Sequence, residues 1–444
     1  MQRNYSFRPR IETLEERSVP ATIKLVAGNL FISNQVGTLT VTSLGAGQVK
    51  IQDGSSSPVV VSGVGTAINI TGTNKADAIV VDATNPFAGN VLINGRNGND
   101  TINFKGTIGG NLTVLGGLGN DTFTNNGDAK VLGNFTFSDS LGKNDIDIAN
   151  NLTVGGNLTA TGVRQFYIIP QTSKTLSVLG NLTIAAPTIG PSLDIKIQNG
   201  SNLIVGKALT ITGNTGDDIF NTFFGVNNPS NAGTIQVGGN TNIHLGEGNN
   251  TVVIAPNVAA NHNGNFTYTG GAGTDTVIFS NGTLSPVTIA GNATFHLGEG
   301  NLNDLTFFEG TILNGNLTAT VGNGDSNGIF FQPDSVLNGN VNITLGNGNN
   351  NFPLYYVAFG TAPAGTLKLT VGNGNNVLEL YNFGTSPLTY AVDLLFGNGN
   401  NVVSLLEIPG DVIITGKLIG GTGSNTFNQN LATILPPWLQ VNFP

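Results

Sequence analysis

Residues 110–124 read GNLTVLGGLGNDTFT. The stretch contains two motifs, Gly-Asn-aliphatic-Thr-aliphatic followed by a turn rich in Gly and Asn that ends in Asp121. Leu112 and Val114 flank Thr113, and threonines flank Phe123, which is the two-residue periodicity of a β-strand. The stretch is therefore predicted to form two short strands joined by a tight corner, with Leu112 and Phe123 in the core.

Both motifs recur along the chain at a nearly constant spacing. The Asn of the first motif returns at positions 111, 134, 157 and 181, and the Gly/Asn-rich turn returns at 346–350, 372–376, 397–401 and 420–425. A unit of this size cannot bury its own apolar face, so neighbouring units must stack to form a core. We expect an all-β fold, a single parallel β-helix (β-solenoid) of about fifteen coils of roughly 24 residues each.

The composition supports a packed chain and excludes several classes of function. Of the 444 residues, 10% are charged and 39% hydrophobic, which is enough apolar surface for a core. No apolar run approaches the length of a membrane-spanning helix, so we expect no membrane-spanning segment. The absence of Cys excludes disulfides and thiolate chemistry. The net charge is −9, and Arg96 and Arg164 are the only arginines beyond residue 17, so no nucleic-acid partner is predicted.

Residues 1–20 differ from the rest of the chain because they concentrate charge and lack the apolar segment of a secretory signal peptide. The string RIETLEERSVPA, residues 10–21, resembles the N-terminal segment of large planctomycete-type extracellular proteins. This resemblance implies export, and we expect the protein outside the cell or at the cell surface. The predicted organisation is an N-terminal sorting segment (1–20), a parallel β-helix (21–435) and a C-terminal cap (436–444).

Two turns resemble the nonapeptide of RTX-type (hemolysin-type) calcium-binding repeats, namely residues 116–124 and 270–278, with near matches at 95–103 and 213–221. In that family, Ca²⁺ lies between turns and is held by carbonyls and by the Asp at the sixth position. Asp77, Asp100 and Asp121 place this residue in three successive coils, so the resemblance implies a Ca²⁺ site there. The sequence departs from the family in having one motif per coil and Asn in place of Asp from Asn350 onward. The alternative is that each Asp only caps its turn.

Other polar residues give weaker functional hypotheses. His244 and His296 are predicted two coils apart, too far to share a metal, and are interpreted as solvent-facing strand residues. Asp145 and Asp147 share one strand face, with Arg164 one coil further on. This arrangement is the basis of one alternative function, a carbohydrate-active β-helix enzyme acting as a polysaccharide lyase or hydrolase.

The sequence as a whole favours an exported, non-enzymatic solenoid that acts as a structural or adhesive module at the cell surface. Its expected partners are cell-surface polysaccharide or other surface proteins, and its expected cofactor is Ca²⁺.

Overall fold

The computed structural model describes residues 21–139, 141–168, 174–188, 190, 192–197, 200–222, 233–255, 259–280, 286–332, 335–355, 358–359, 366–382, 388–407, 412–429 and 433–443. The predicted sorting segment, residues 1–20, lies outside this part of the chain. All the regular secondary structure of the described residues is β-strand. Accordingly, the described residues include no helix that could cross a membrane.

The strands stack in parallel and in register, so the fold is the expected all-β parallel solenoid. Each regular coil contributes one strand to each of three faces. Face 1 carries the Gly-Asn-aliphatic-Thr-aliphatic motif, face 2 follows the Gly/Asn-rich corner, and face 3 closes the coil. The neighbours of Leu112 on face 1 are Val91 in the preceding coil and Phe135 in the following one.

Face 1 consists of Ala67–Thr71, Asn90–Asn97, Leu112–Leu118, Phe135–Ser138, Leu158–Thr161, Leu182–Ala185, Leu209–Thr212, Thr241–Gly246, Phe266–Gly270, Ala293–Leu297, Leu317–Val321, Val341–Leu345, Thr366–Val371, Leu388–Phe396, Val412–Ile419 and Thr433–Val441. The early strands of face 2, Ala78–Phe87, Thr101–Ile108 and Thr122–Val131, continue onto face 3.

The later strands of face 2 are Asp145–Ile148, Gln165–Ile168, Asp194–Ile197, Ile219–Asn221, Thr251–Ile254, Thr276–Phe279, Asp304–Phe307, Gly328–Phe331, Asn351–Tyr355, Val377–Asn382, Val402–Glu407 and Thr426–Gln429. Those of face 3 are Leu152–Val154, Thr175–Val178, Asn202–Val205, Thr234–Val237, Ala259–His262, Val287–Ile289, Thr311–Leu313, Val336–Leu337 and Ala358–Phe359.

The N-terminal end begins with antiparallel strands. Thr22–Val26 pairs with Asn29–Ser33, and Leu39–Gly45 pairs with Gln48–Asp53, which pairs with Val59–Ser62. Asn29–Ser33 and Leu39–Gly45 then pair in parallel with the first coil. These hairpins cover the apolar interior at this end of the solenoid.

Regular coils, with a separate stretch of strand on each of the three faces, number about 13, a minor difference from the fifteen expected. The first described residues form hairpins and contribute no regular coil. In addition, some coils are longer than 24 residues, since the stacked residues Asp218 and Asn250 are 32 positions apart.

The core is a continuous apolar column that runs inside the three faces. Leu112 and Phe123 are both fully buried, as expected from the alternation of residues 110–124. Phenylalanines stack from coil to coil, with ring centroids 4.8 Å apart for Phe307 and Phe331. Equivalent positions thus receive the same kind of side chain in successive coils, and the shared core is what makes stacking favourable.

Two aromatic contacts form at the C-terminal end, in the region predicted as a cap. Trp438, in the last strand of face 1, stacks on Phe427 with ring centroids 6.1 Å apart. Phe443 lies edge-on against Phe396, with centroids 5.7 Å apart. These contacts cover the apolar side of the final coil.

Candidate metal centre

A column of Asp and Asn side chains lines the corner between face 1 and face 2, and we call it the Asx column. All of its members are buried. They are Asp77, Asp100, Asp121, Asn144, Asp218, Asn250, Asp275, Asn303, Asn327, Asn350, Asn376, Asn401 and Asn425.

Hydrogen bonds between neighbouring coils hold the Asx column together. The backbone N–H of Asp77 donates to Oδ1 of Asp100 (2.8 Å), and that of Asp100 donates to Oδ1 of Asp121 (2.7 Å). The N–H of Asp121 in turn donates to Oδ1 of Asn144 (2.9 Å). The side chain of one coil therefore satisfies a buried backbone donor of the preceding coil, which explains why a short polar residue recurs at this position.

The side chains of the Asn corners at Asn376 and Asn401 are hydrogen-bonded without any ion. Nδ2 of Asn376 donates to the carbonyls of Gly372 (3.4 Å) and Gly374 (3.0 Å), four and two residues earlier. Nδ2 of Asn401 donates in the same way to Gly397 and Gly399. An ionised aspartate in this place has no hydrogen to donate to these carbonyls, and a protonated one has only a single O–H.

Most corners have glycine two residues before the Asx position, the exceptions being those of Asp77, Asn303 and Asn327. Gly119, two residues before Asp121, has a φ of 141°. A Cβ at Gly119 would overlap the carbonyl oxygen of Gly98 in the preceding coil. The positive φ and the close approach of the coils both exclude a side chain here.

The Asp corners are not equivalent. Asp77 accepts hydrogen bonds at both oxygens, from the backbone N–H (2.6 Å) and the hydroxyl (3.0 Å) of Thr73. Asp218 likewise has donors on both oxygens, the N–H groups of Leu193 and Asn214. By contrast, Oδ2 of Asp100 and Oδ2 of Asp121 are buried and accept no hydrogen bond from the described residues.

The electrostatics at Asp100 reflect this difference. Burial, together with the charges of Asp121 and Asp77, raises the pKa of Asp100 to about 7, against the lowering effect of the hydrogen bond from the Asp77 backbone. A buried carboxylate without a donor on one oxygen is costly to ionise, and nearby carboxylates add to this cost. A proton or a bound cation would remove it.

No known protein-family model, curated protein or solved structure matches this chain. A metal centre in this protein can therefore be inferred only from the chain's own geometry. Carboxylate and carbonyl oxygens, the groups available at this corner, are the ligands that Ca²⁺ prefers. Within the part of the chain that the structure describes, no group of three or more His, Asp or Glu side chains converges as a metal site. The residues therefore fit a site with at most two carboxylates, completed by carbonyls.

Asp139 was missed by the sequence analysis. Five residues before Asp100 and Asp121 the chain has Gly95 and Gly116, but five residues before Asn144 it has Asp139. This replacement of a recurring glycine by a carboxylate is the feature of the sequence from which Asp139 could have been predicted. Its side chain extends towards Gly116 in the preceding coil.

The other candidate residues lie elsewhere. His244 and His296 are both exposed and each pairs with Thr269, so they lie two coils apart on face 1, as expected. Neither lies at the Asx column.

On face 2, Arg164 binds Asp145 through both carboxylate oxygens, with Nη2 at 2.8 and 2.6 Å. Burial and the charge of Asp145 raise the pKa of Asp147, while Arg164 lowers it. Asp145 and Asp147 therefore lie on one face as expected, and Asp145 is held in an ion pair that links two coils.

Proposed function

We propose that the protein is an exported, non-enzymatic β-solenoid that acts as a structural or adhesive module at the cell surface. We further propose that Ca²⁺ binds at its Asp corners, among Asp77, Asp100 and Asp121. The observation that carries the proposal is the Asx column, in which buried polar side chains of successive coils bind neighbouring coils together. The most regular polar feature of the chain thus serves cohesion of the rod, and two of its carboxylates have an oxygen to offer a cation.

The charged residues of the outer faces support a non-enzymatic role. Lys105 pairs with Asp82, Arg164 with Asp145, and Lys417 with Asp393. Each of these pairs joins strands of neighbouring coils. A catalytic acid or base must be able to exchange a proton with a substrate, whereas these carboxylates form ion pairs that link coils.

A regular row of hydroxyl and amide groups supports adhesion to polysaccharide or to other surface proteins. On face 1 an outward row of partly exposed threonines runs through successive coils. Its members are Thr113, Thr136, Thr159, Thr183 and Thr210. Hydroxyl groups both donate and accept hydrogen bonds, so an evenly spaced row suits a hydroxyl-rich polymer.

The second candidate function, a carbohydrate-active enzyme, is favoured by one observation. The pKa of Asp147 is raised, and Asp147 lies on the same strand face as Asp145, which is paired with Arg164. A carboxyl with a raised pKa beside an ionised one is the pairing used in glycoside hydrolysis.

Incubation of the purified protein with a panel of bacterial and algal polysaccharides separates the two functions. We expect sedimentation with some polymers and no release of reducing or unsaturated ends. Asp128→Asn is the control, because it changes an exposed carboxylate outside the Asp145–Asp147 pair. Depolymerisation that is lost in Asp147→Asn and kept in Asp128→Asn would overturn the non-enzymatic proposal.

Export is tested in the native host by fractionation. Deleting residues 1–20 should retain the protein inside the cell while the purified variant keeps the melting temperature of the full chain. Unchanged appearance of the deletion variant at the cell surface would contradict the role proposed for this segment.

A further inference from the structure

Two carboxylates from neighbouring coils meet beside Gly116. Oδ2 of Asp121 and Oδ2 of Asp139 both lie within 2.5 Å of the point that a Cβ on Gly116 would occupy. The space that glycine leaves open is therefore filled by two carboxylate oxygens. Asp121 is fully buried, and its Oδ2 accepts no hydrogen bond from the described residues.

The adjacent coil brings a third carboxylate close to the same corner. Oδ2 of Asp100 and the carbonyl oxygen of Gly116 both approach the position of a Cβ on Gly95. The backbone of Gly116 therefore lies between the Asp100 carboxyl on one side and the Asp121 and Asp139 carboxyls on the other. Oxygen atoms with negative or partial negative charge concentrate here with little solvent to screen them.

We propose that the cation is held between Asp121 and Asp139, across two coils at Gly116. This assignment rests on the Ca²⁺ binding proposed above. A hard divalent cation takes oxygen ligands and relieves the repulsion between paired carboxylates. Asp77 and Asp218 differ, because they already have donors on both oxygens. Asp100 has an oxygen without a donor, but that oxygen lies with the carbonyl of Gly116 beside Gly95 and not with a second carboxylate. Calcium dependence should therefore be local to these coils and should not extend along the whole Asx column.

Isothermal titration of the full chain with CaCl₂ at pH 7.5 tests the assignment. The wild type should bind Ca²⁺, and Asp139→Asn and Asp121→Asn should each weaken the affinity by roughly tenfold or more. Asp128→Asn removes an exposed carboxylate of the same region, and Asp218→Asn removes a buried one of the Asx column. Both controls should bind Ca²⁺ like the wild type.

Asp139→Gly is a second variant that should fold normally, because it restores the glycine found at this position in the two preceding coils. It should keep the β-sheet circular dichroism of the wild type and lose the calcium response. If Asp139→Gly binds Ca²⁺ like the wild type while Asp100→Asn abolishes binding, the proposed calcium role stands and the Asp121–Asp139 assignment is wrong. If the wild type binds no Ca²⁺ and its carboxyls only take up a proton as the pH falls, both are wrong.

Discussion

Replacing Asp100 by Asn should stabilise the calcium-free protein. In the Asn corners, Nδ2 donates to the carbonyls four and two residues earlier, as Asn376 does to Gly372 and Gly374. Asp100→Asn keeps the oxygen that accepts the N–H of Asp77 and places an N–H where Oδ2 now lies without a donor. The substitution therefore removes a buried charge and adds the donor that the Asn corners use.

The magnitude follows from the pKa of Asp100. Its folded-state pKa is raised from 3.8 to about 7, so the folded state binds the proton more tightly than the unfolded state. The stability that protonation provides is full below pH 3.8 and is lost as the pH rises through 7. At pH 8 the ionised carboxylate thus costs up to about 4 kcal/mol, and at pH 5 roughly 2 kcal/mol.

Hydrogen exchange and urea denaturation, both in EDTA, measure this effect. Because repeat proteins can unfold locally, exchange should be followed in peptides that cover residues 70–125, where protection should increase in the variant. The gain in stability should be larger at pH 8 than at pH 5. A variant that is no more stable than the wild type at pH 8, or whose gain is the same at both pH values, would show that the ionised Asp100 carboxylate does not destabilise the fold.

Three further predictions test the fold. Phe123→Ala should cost about 3–5 kcal/mol in urea denaturation because Phe123 is fully buried, and a cost below 1 kcal/mol would place it outside the core. Gly119→Ala should lower the melting temperature markedly, whereas Gly65→Ala, where a Cβ meets nothing within 4 Å, should not; equal effects would contradict the corner geometry. Burial lowers the pKa of His262 to about 4, so its contribution to stability should fall by about 3 kcal/mol between pH 6.5 and pH 4. In His262→Phe that part of the pH dependence should disappear, and an unchanged pH profile would show that His262 does not cause it.

The fold could be predicted because every coil of the solenoid repeats the same strand and corner motifs. The alternation around Leu112 and Phe123 indicated which side chains face the core, and the spacing of the motifs indicated the length of a coil. The expected number of turns was slightly too high, because inserted residues such as those between Asp218 and Asn250 lengthen a coil without changing its motif.

The candidate site could be predicted only in part. The turn motif identified Asp77, Asp100 and Asp121 as a stacked column. It gave no indication of which carboxyl oxygens have donors, because these come from neighbours such as Thr73, which satisfies Asp77. Asp139 lies outside the motif, and its contribution depends on the stacking of one coil on the next.

The response of the wild-type melting temperature to Ca²⁺ shows whether the Asp corners bind this ion. The protein should be compared at pH 8 in EDTA and in millimolar Ca²⁺, with Mg²⁺ as the control ion. Because Ca²⁺ is proposed to bind the folded state, 100 Kd of the ion should add about 2.7 kcal/mol and raise the melting temperature. If the melting temperature is the same in Ca²⁺ and in EDTA, the Asp corners are purely structural and the proposed calcium binding is wrong.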